Sequence, residues 1–155
     1  MKKWKPYVIG AALTLAVGAL SGLLSAGGML AYTENAAKPP LSPPGWVFSV
    51  VWSLLYILMG VGATGIFLAP EGRERSRGLN LFVLQLAVNF FWSLLFFNAK
   101  AYGFSLLWLM LLWGLVLLMI LSFRKVDKKA AILQIPYLLW LTFAAYLNFG
   151  VWRLN

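Results

Sequence analysis

Five of the eight tryptophans, Trp52, Trp92, Trp108, Trp113 and Trp140, lie inside long uncharged stretches of the chain, and three carboxamides, Gln85, Asn89 and Asn148, lie among them. Bulk packing is the ordinary role of a buried indole. Helical spacing adds something to it. Trp52 and Tyr56 stand four residues apart and share a face. Gln85, Asn89 and Trp92 or Ser93 align on a second helix, and Trp140, Ala144 and Asn148 repeat at four-residue steps with Phe143 and Leu147 beside them. An amide in an apolar span turns inward and finds a hydrogen-bond partner there. For Asn148, helix–helix bonding is sufficient explanation. Asn89, set between Gln85 and two aromatics, also has the position to orient a polar group on a ligand. Together these faces predict an uncharged, aromatic-walled cavity suited to a large, flat, mostly apolar molecule.

The chemistry that remains is narrow. The chain has no cysteine and no histidine, so thiolate nucleophiles, imidazole bases, disulfides and the commonest metal ligands are absent. No metal site is expected. Serine and threonine hydroxyls have no base to activate them. The four acids, Glu34, Glu71, Glu74 and Asp127, all fall in expected loops. Ion-coupled transporters usually carry a carboxylate within the membrane, so a small multidrug exporter is disfavoured. Redox chemistry or photochemistry of the indoles is what is left.

The elements that must position these residues follow from hydropathy. The mean hydropathy is +0.83, and 11% of the 155 residues are charged, against about 25% in a soluble domain. Five charge-free stretches, 6–33, 39–70, 78–99, 101–123 and 130–152, are each 22 residues or longer. About 20 apolar residues span a bilayer as a helix. None of the stretches alternates as a membrane strand must. The fold class is therefore an all-α integral membrane protein, a single domain over 1–155, with five helices at about 7–31, 46–68, 79–98, 102–123 and 130–152. The first stretch is too long for the apolar core of a signal peptide and reads as a retained helix. Gly27-Gly28 is expected to end or kink it, and Pro136 to be a first-turn residue or a mild kink in the last helix. Gly18 and Gly22 form a GxxxG pair, which serves close packing within the monomer or, as the sharper alternative, a homodimer contact. An odd helix count and no internal repeat argue against an inverted-repeat transporter.

The net charge of +9 does not indicate nucleic acid. Ten of the 13 cations, at 2, 3, 5, 73, 75, 77, 124, 125, 128 and 129, fall on one side of the expected membrane, and Lys38, Lys100 and Arg153 on the other. The positive-inside rule then puts the N-terminus in the cytoplasm and the C-terminus outside. Between the first two helices lies KPPLSPPGWVFSVVW, residues 38–52, with four of the seven prolines at 39, 40, 43 and 44. Proline fixes φ and keeps the residue before it out of the α region. This loop is expected to be a stiff lid on the external face.

KPPLSPPGWVFSVVWSLLY at 38–56, VNFFWSLLFF at 88–97 and PYLLWLTFAAYLNFGVWRLN at 136–155 resemble the tryptophan-rich sensory protein or translocator protein family, TspO/MBR, also called the peripheral benzodiazepine receptor family. The resemblance covers nearly the whole chain. It implies a five-helix bundle, often homodimeric, in the cell membrane. The ligands it implies are porphyrins such as protoporphyrin IX and haem, cholesterol in animals, and isoquinoline carboxamides and benzodiazepines. No cofactor is required; porphyrin enters as ligand or substrate. The implied pocket lies under the lid. Carried over by position, the lid residues are Tyr32, Pro43, Pro44 and Trp46. The wall residues are Phe48, Trp52 and Tyr56 on helix 2, Asn89 and Trp92 on helix 3, and Phe104 and Leu111 on helix 4. On helix 5 they are Trp140, Phe143, Ala144 and Leu147. Light-dependent degradation of protoporphyrin IX, with Trp52 and Trp140 as the reactive indoles, is an implied alternative to simple binding, as is passive transport of porphyrin or sterol. One departure bears on the ligand. The cholesterol-recognition pattern of animal members has Phe149 where its Tyr would stand, and six residues separate Tyr146 from Arg153, outside the one-to-five spacing. Porphyrin is the better match.

Overall fold

In lipid a spanning segment must satisfy its own backbone, as a helix or in a closed barrel. The computed structural model describes residues 2–155, and each of the five expected spans is helical in it. Helix α1 is Lys5–Asn35 and α2 is Gly45–Phe67. Helix α3, Arg73–Ser93, runs on into a π-helical turn, Leu94–Asn98. Helix α4 is Tyr102–Val126. The last span is made of two pieces, α5 (Lys128–Ile132) and α6 (Ile135–Leu154).

Two expectations need correcting. Gly27-Gly28 does not end α1, which continues to Asn35. Gly28 lies where α1 passes the π-helical turn. A Cβ there would strike the Phe97 carbonyl, and Asn98 Nδ2 donates to the Leu24 carbonyl at 2.8 Å across the same gap. The fifth helix is not continuous over 130–152. Asp127 caps α5 by accepting from the Lys129 N–H at 3.0 Å. The chain then turns at Leu133 and Gln134, and Pro136 falls in the first turn of α6, where its missing N–H costs nothing.

The helices form a ring in the order α1, α2, α5–α6, α4, α3. Its surface and interior are those of a protein in lipid. Leu13, Leu23, Leu30, Leu54, Leu107 and Leu139 are exposed, whereas Thr14, Ser21, Ser25, Gln85, Asn89, Ser105, Gln134 and Asn148 are buried. Apolar side chains gain little by leaving lipid for a helix interface, so close packing and interhelical hydrogen bonds hold such a bundle together. The α1–α2 crossing shows both. Gly10 and Gly60 face each other so closely that a Cβ on either would meet the other helix's backbone. Thr14 Oγ1 donates to the Tyr56 carbonyl at 2.6 Å beside them. Beyond this point α1 and α2 separate. Gly18 packs on the Tyr56 ring, and at Gly22 a Cβ would meet nothing within 4 Å. Packing within the monomer thus accounts for Gly18.

Candidate functional site

The separation of α1 from α2 opens a cavity of about 560 Å³ floored by α3 and the π-helical turn. Along α2, Phe48, Trp52 and Tyr56 recur every four residues and form one wall. Asn89, Trp92, Ser93 and Phe97 form the floor, and small residues of α1, among them Gly18, Ala19, Ser21, Gly22 and Ser25, form the opposite wall. Exposed Leu23 on α1 and exposed Ser49 and Ser53 on α2 also border it, so it opens sideways between these two helices toward the lipid. A second chamber of about 330 Å³ lies under the loop and is bordered by Tyr32, Lys38, Ser42, Pro43, Pro44 and Gly45. Met29, Phe48 and Phe97 border both chambers, which are therefore neighbours.

Hydrogen bonds fix the wall and floor. Tyr56 OH donates to Asn89 Oδ1 at 2.8 Å, Asn89 Nδ2 donates to the Tyr137 hydroxyl at 2.5 Å, and that hydroxyl donates to Gln85 Oε1 at 2.7 Å. This relay joins α2, α3 and α6. Trp92 Nε1 donates to Asn148 Oδ1 at 3.2 Å, and Asn148 Nδ2 to the Tyr102 carbonyl at 2.8 Å. On α1, Ser21 Oγ donates to the Phe90 carbonyl at 2.9 Å, which ties the small-residue wall to α3. Rings support one another as well. Trp52 lies 5.7 Å from Tyr56 and 6.2 Å from Tyr137, and Trp92 stacks on Phe96 at 5.0 Å, spacings within the attractive range for aromatic pairs.

The loop is fastened at one place, the end of α6. Pro39 is buried against Gly150, where a Cβ would strike its ring. Tyr146 OH donates to the Pro40 carbonyl at 2.7 Å. The Asn155 amide pairs with Ala37, accepting from its N–H at 3.1 Å and donating to its carbonyl at 2.8 Å. Leu41 takes a positive φ of 70° at the turn between the two proline pairs.

The expected site residues divide into three groups. Phe48, Trp52, Tyr56, Asn89 and Trp92 border the larger cavity, and Tyr32, Pro43 and Pro44 the smaller. Trp140, Phe143, Ala144 and Leu147 border neither; the Phe48 and Trp52 rings pack on α6 at Trp140 and Tyr137. Phe48 meets Trp140 edge-on at 5.8 Å. Behind it the Trp140 Nε1–H is buried without an acceptor. Trp46, Phe104 and Leu111 lie on the outside, 70%, 54% and 50% exposed. In α4 the inward face is carried by Ser105, Leu109, Leu112 and Val116, and Phe104 and Leu111 fall on the other side of the helix. The wall supplied by α1 was not expected. Its signal is present in the sequence, since Gly18, Ser21, Gly22 and Ser25 follow helical spacing. A stripe of small residues reads first as a packing face, however. Tyr137 was also missed; a phenol within a span needs a partner, and Gln85 and Asn89 were the unpaired amides available.

A model of the TspO/MBR family matches residues 10–153. Over 139 residues the chain is 39% identical to protein CrtK of Rhodobacter capsulatus, covering 89% of this chain and 85% of that protein. It is 36% identical over 144 residues to tryptophan-rich protein TspO of Chlorobaculum tepidum, covering 92% and 91%. It is 34% identical over 154 residues to the translocator protein of Bos taurus, covering 98% and 91%.

Proposed function

The chain belongs to the TspO/MBR family and is an integral membrane protein, and from that premise we propose that it is a membrane receptor or sensor for porphyrins such as protoporphyrin IX and haem. Benzodiazepine-type and isoquinoline carboxamide ligands would occupy the same site, and the reading requires no cofactor. The observation that carries it is the larger cavity. Its about 560 Å³, walled by Phe48, Trp52, Tyr56, Trp92 and Phe97 and, among the described residues, bordered by no charged side chain, falls within the 300–1,000 Å³ usual for small-molecule sites. An aromatic wall offers a flat ring system stacking and apolar contact without the desolvation cost of a buried charge. The names of relatives as a sensory protein and as translocator proteins support a role in sensing or passing small molecules. The same reading puts the protein in the cell membrane, with its N-terminus in the cytoplasm and the loop after α1 outside.

Titration of purified protein with protoporphyrin IX in the dark tests the proposal. Saturable quenching of tryptophan fluorescence is expected, weakened in Trp52→Phe. No saturable quenching at any ligand concentration would falsify it. The place of Trp52 on the cavity wall favours one alternative, light-dependent oxidative degradation of the bound porphyrin with dioxygen as the oxidant. That alternative requires loss of the porphyrin absorbance bands under illumination beyond a free-dye control.

A further inference from the structure

Lys38 borders the smaller chamber and, among the described residues, has no carboxylate within 4.0 Å. Lys38 Nζ donates to the Thr33 carbonyl at 3.0 Å and to the Ala36 carbonyl at 3.2 Å, and lies 5.1 Å from the centre of the Tyr32 ring. Both carbonyls lie at the C-terminal end of α1, and they take two of the three N–H donors of the ammonium. Among the described residues the ion pair formed is Lys125–Glu74, at 3.6 Å, on elements at the other end of the bundle.

A second feature of the same chamber has the same sign. Helix α2 begins on its wall, at Pro43, Pro44 and Gly45; among the described residues no side chain caps it, and the Val47 N–H is taken by the Pro44 carbonyl at 3.0 Å, which leaves those of Gly45 and Trp46. The first N–H groups of a helix have no partner within the helix. Together with the aligned peptide dipoles they make its N-terminus a site for anions. Ser42 does not serve as a cap, because its hydroxyl donates to the Pro39 carbonyl at 2.8 Å.

We infer that the chamber under the loop is a carboxylate seat, formed by Lys38 and the open N-terminus of α2, and that the ligand is an amphiphile whose flat apolar body fills the larger cavity. The inference rests on the tetrapyrrole reading above and deepens it. Phe48 borders both chambers, so a ring system beside it has the seat within reach of a short side chain such as a propionate. The larger cavity selects the ring, and the smaller selects for acid over ester.

Binding of protoporphyrin IX and of its dimethyl ester, measured in zwitterionic nanodiscs, separates the two contributions. Wild type is expected to prefer the diacid, with a preference that falls as salt is raised. Lys38→Met is expected to weaken diacid binding about three- to tenfold, the span of one partly exposed charge at a helix end, and to leave the ester unchanged. Lys38→Arg retains the preference. Equal loss for diacid and ester overturns the seat and shows that Lys38 merely holds the loop in shape. Equal affinities in wild type overturn it too, and the tetrapyrrole reading survives both results. A lipid phosphate would offer the same kind of anion. If anionic lipid added to the discs abolishes the diacid preference, the seat belongs to lipid and the carboxylate assignment fails. Absence of binding by both porphyrins overturns the tetrapyrrole reading and this inference with it.

Discussion

Asn89 borders the cavity, yet both ends of its amide are taken, by the Tyr56 hydroxyl and the Tyr137 hydroxyl. It therefore acts on a ligand mainly through the rings it holds. Replacing it with leucine leaves Tyr56 OH and Tyr137 OH short of a partner in a buried site. The loss is expected to be about 1 kcal/mol, near the upper part of the range for single hydrogen bonds between membrane helices and within that for an orphaned buried group. A lowered thermal midpoint in detergent would register it; an unchanged midpoint would show that the relay contributes nothing. The two tryptophans singled out for reactivity also separate at this scale. Trp52 faces the cavity, while Trp140 stands behind Phe48. Trp52→Phe is expected to weaken porphyrin binding several-fold more than Trp140→Phe. Equal losses would mean that the Phe48 ring swings aside on binding and brings the unpartnered Trp140 Nε1–H into the site. The sequence shows which residues share a face of one helix. It does not show which face of another helix answers them, so Asn89 was legible and Tyr137, 48 positions away, was not.

The loop between α1 and α2 shows the same division among elements. Its stiffness is written in its prolines. Its fastening is not, because Pro39, Pro40 and Ala37 are held by Gly150, Tyr146 and Asn155, more than 100 positions away. The fastening is what makes the loop a lid. A stiff loop free at α6 would still swing as a unit about its ends. Held at three points, it keeps Pro43 and Pro44 over the smaller chamber. Tyr146→Phe combined with Asn155→Ala removes the bonds to Pro40 and Ala37 while keeping the packing of Pro39. The off-rate of porphyrin is expected to rise about tenfold, the equivalent of about 1.4 kcal/mol for hydrogen bonds worth about 0.5–1.5 kcal/mol each, with the on-rate little altered. An unchanged off-rate would show that ligand leaves instead through the opening between α1 and α2, where Ser49 and Ser53 border the cavity from the lipid side.

For the whole molecule, five spans were legible because a bilayer imposes a length and forbids charge, and both constraints act on each segment separately. The break at Leu133–Gln134 and the π-helical turn at Leu94–Asn98 were not, since neither interrupts the hydropathy. Orientation is the remaining global property that sequence constrains, and here charge and structure combine. All of Lys2, Lys3, Lys5, Arg73, Arg75, Arg77, Arg124, Lys125, Lys128 and Lys129 fall at one end of the bundle, at the start of α1 and at the α2–α3 and α4–α5 junctions. Lys38, Lys100 and Arg153 fall at the other, and Lys38 borders the smaller chamber. Short loops carrying excess Lys and Arg stay in the cytoplasm. Each cation near an anionic cytoplasmic leaflet adds about 1 kcal/mol in the same sense. Ten against three is a wide margin, so a reporter that is active only outside the cytoplasm, fused after Asn155, is expected to be active. Replacing Lys2, Lys3 and Lys5 with glutamine leaves seven cations against three and is not expected to invert the protein. Activity of a cytoplasm-only reporter at Asn155 in the unaltered chain would place the carboxylate seat and its lid on the cytoplasmic side, and the ligand would then have to be one supplied from within the cell.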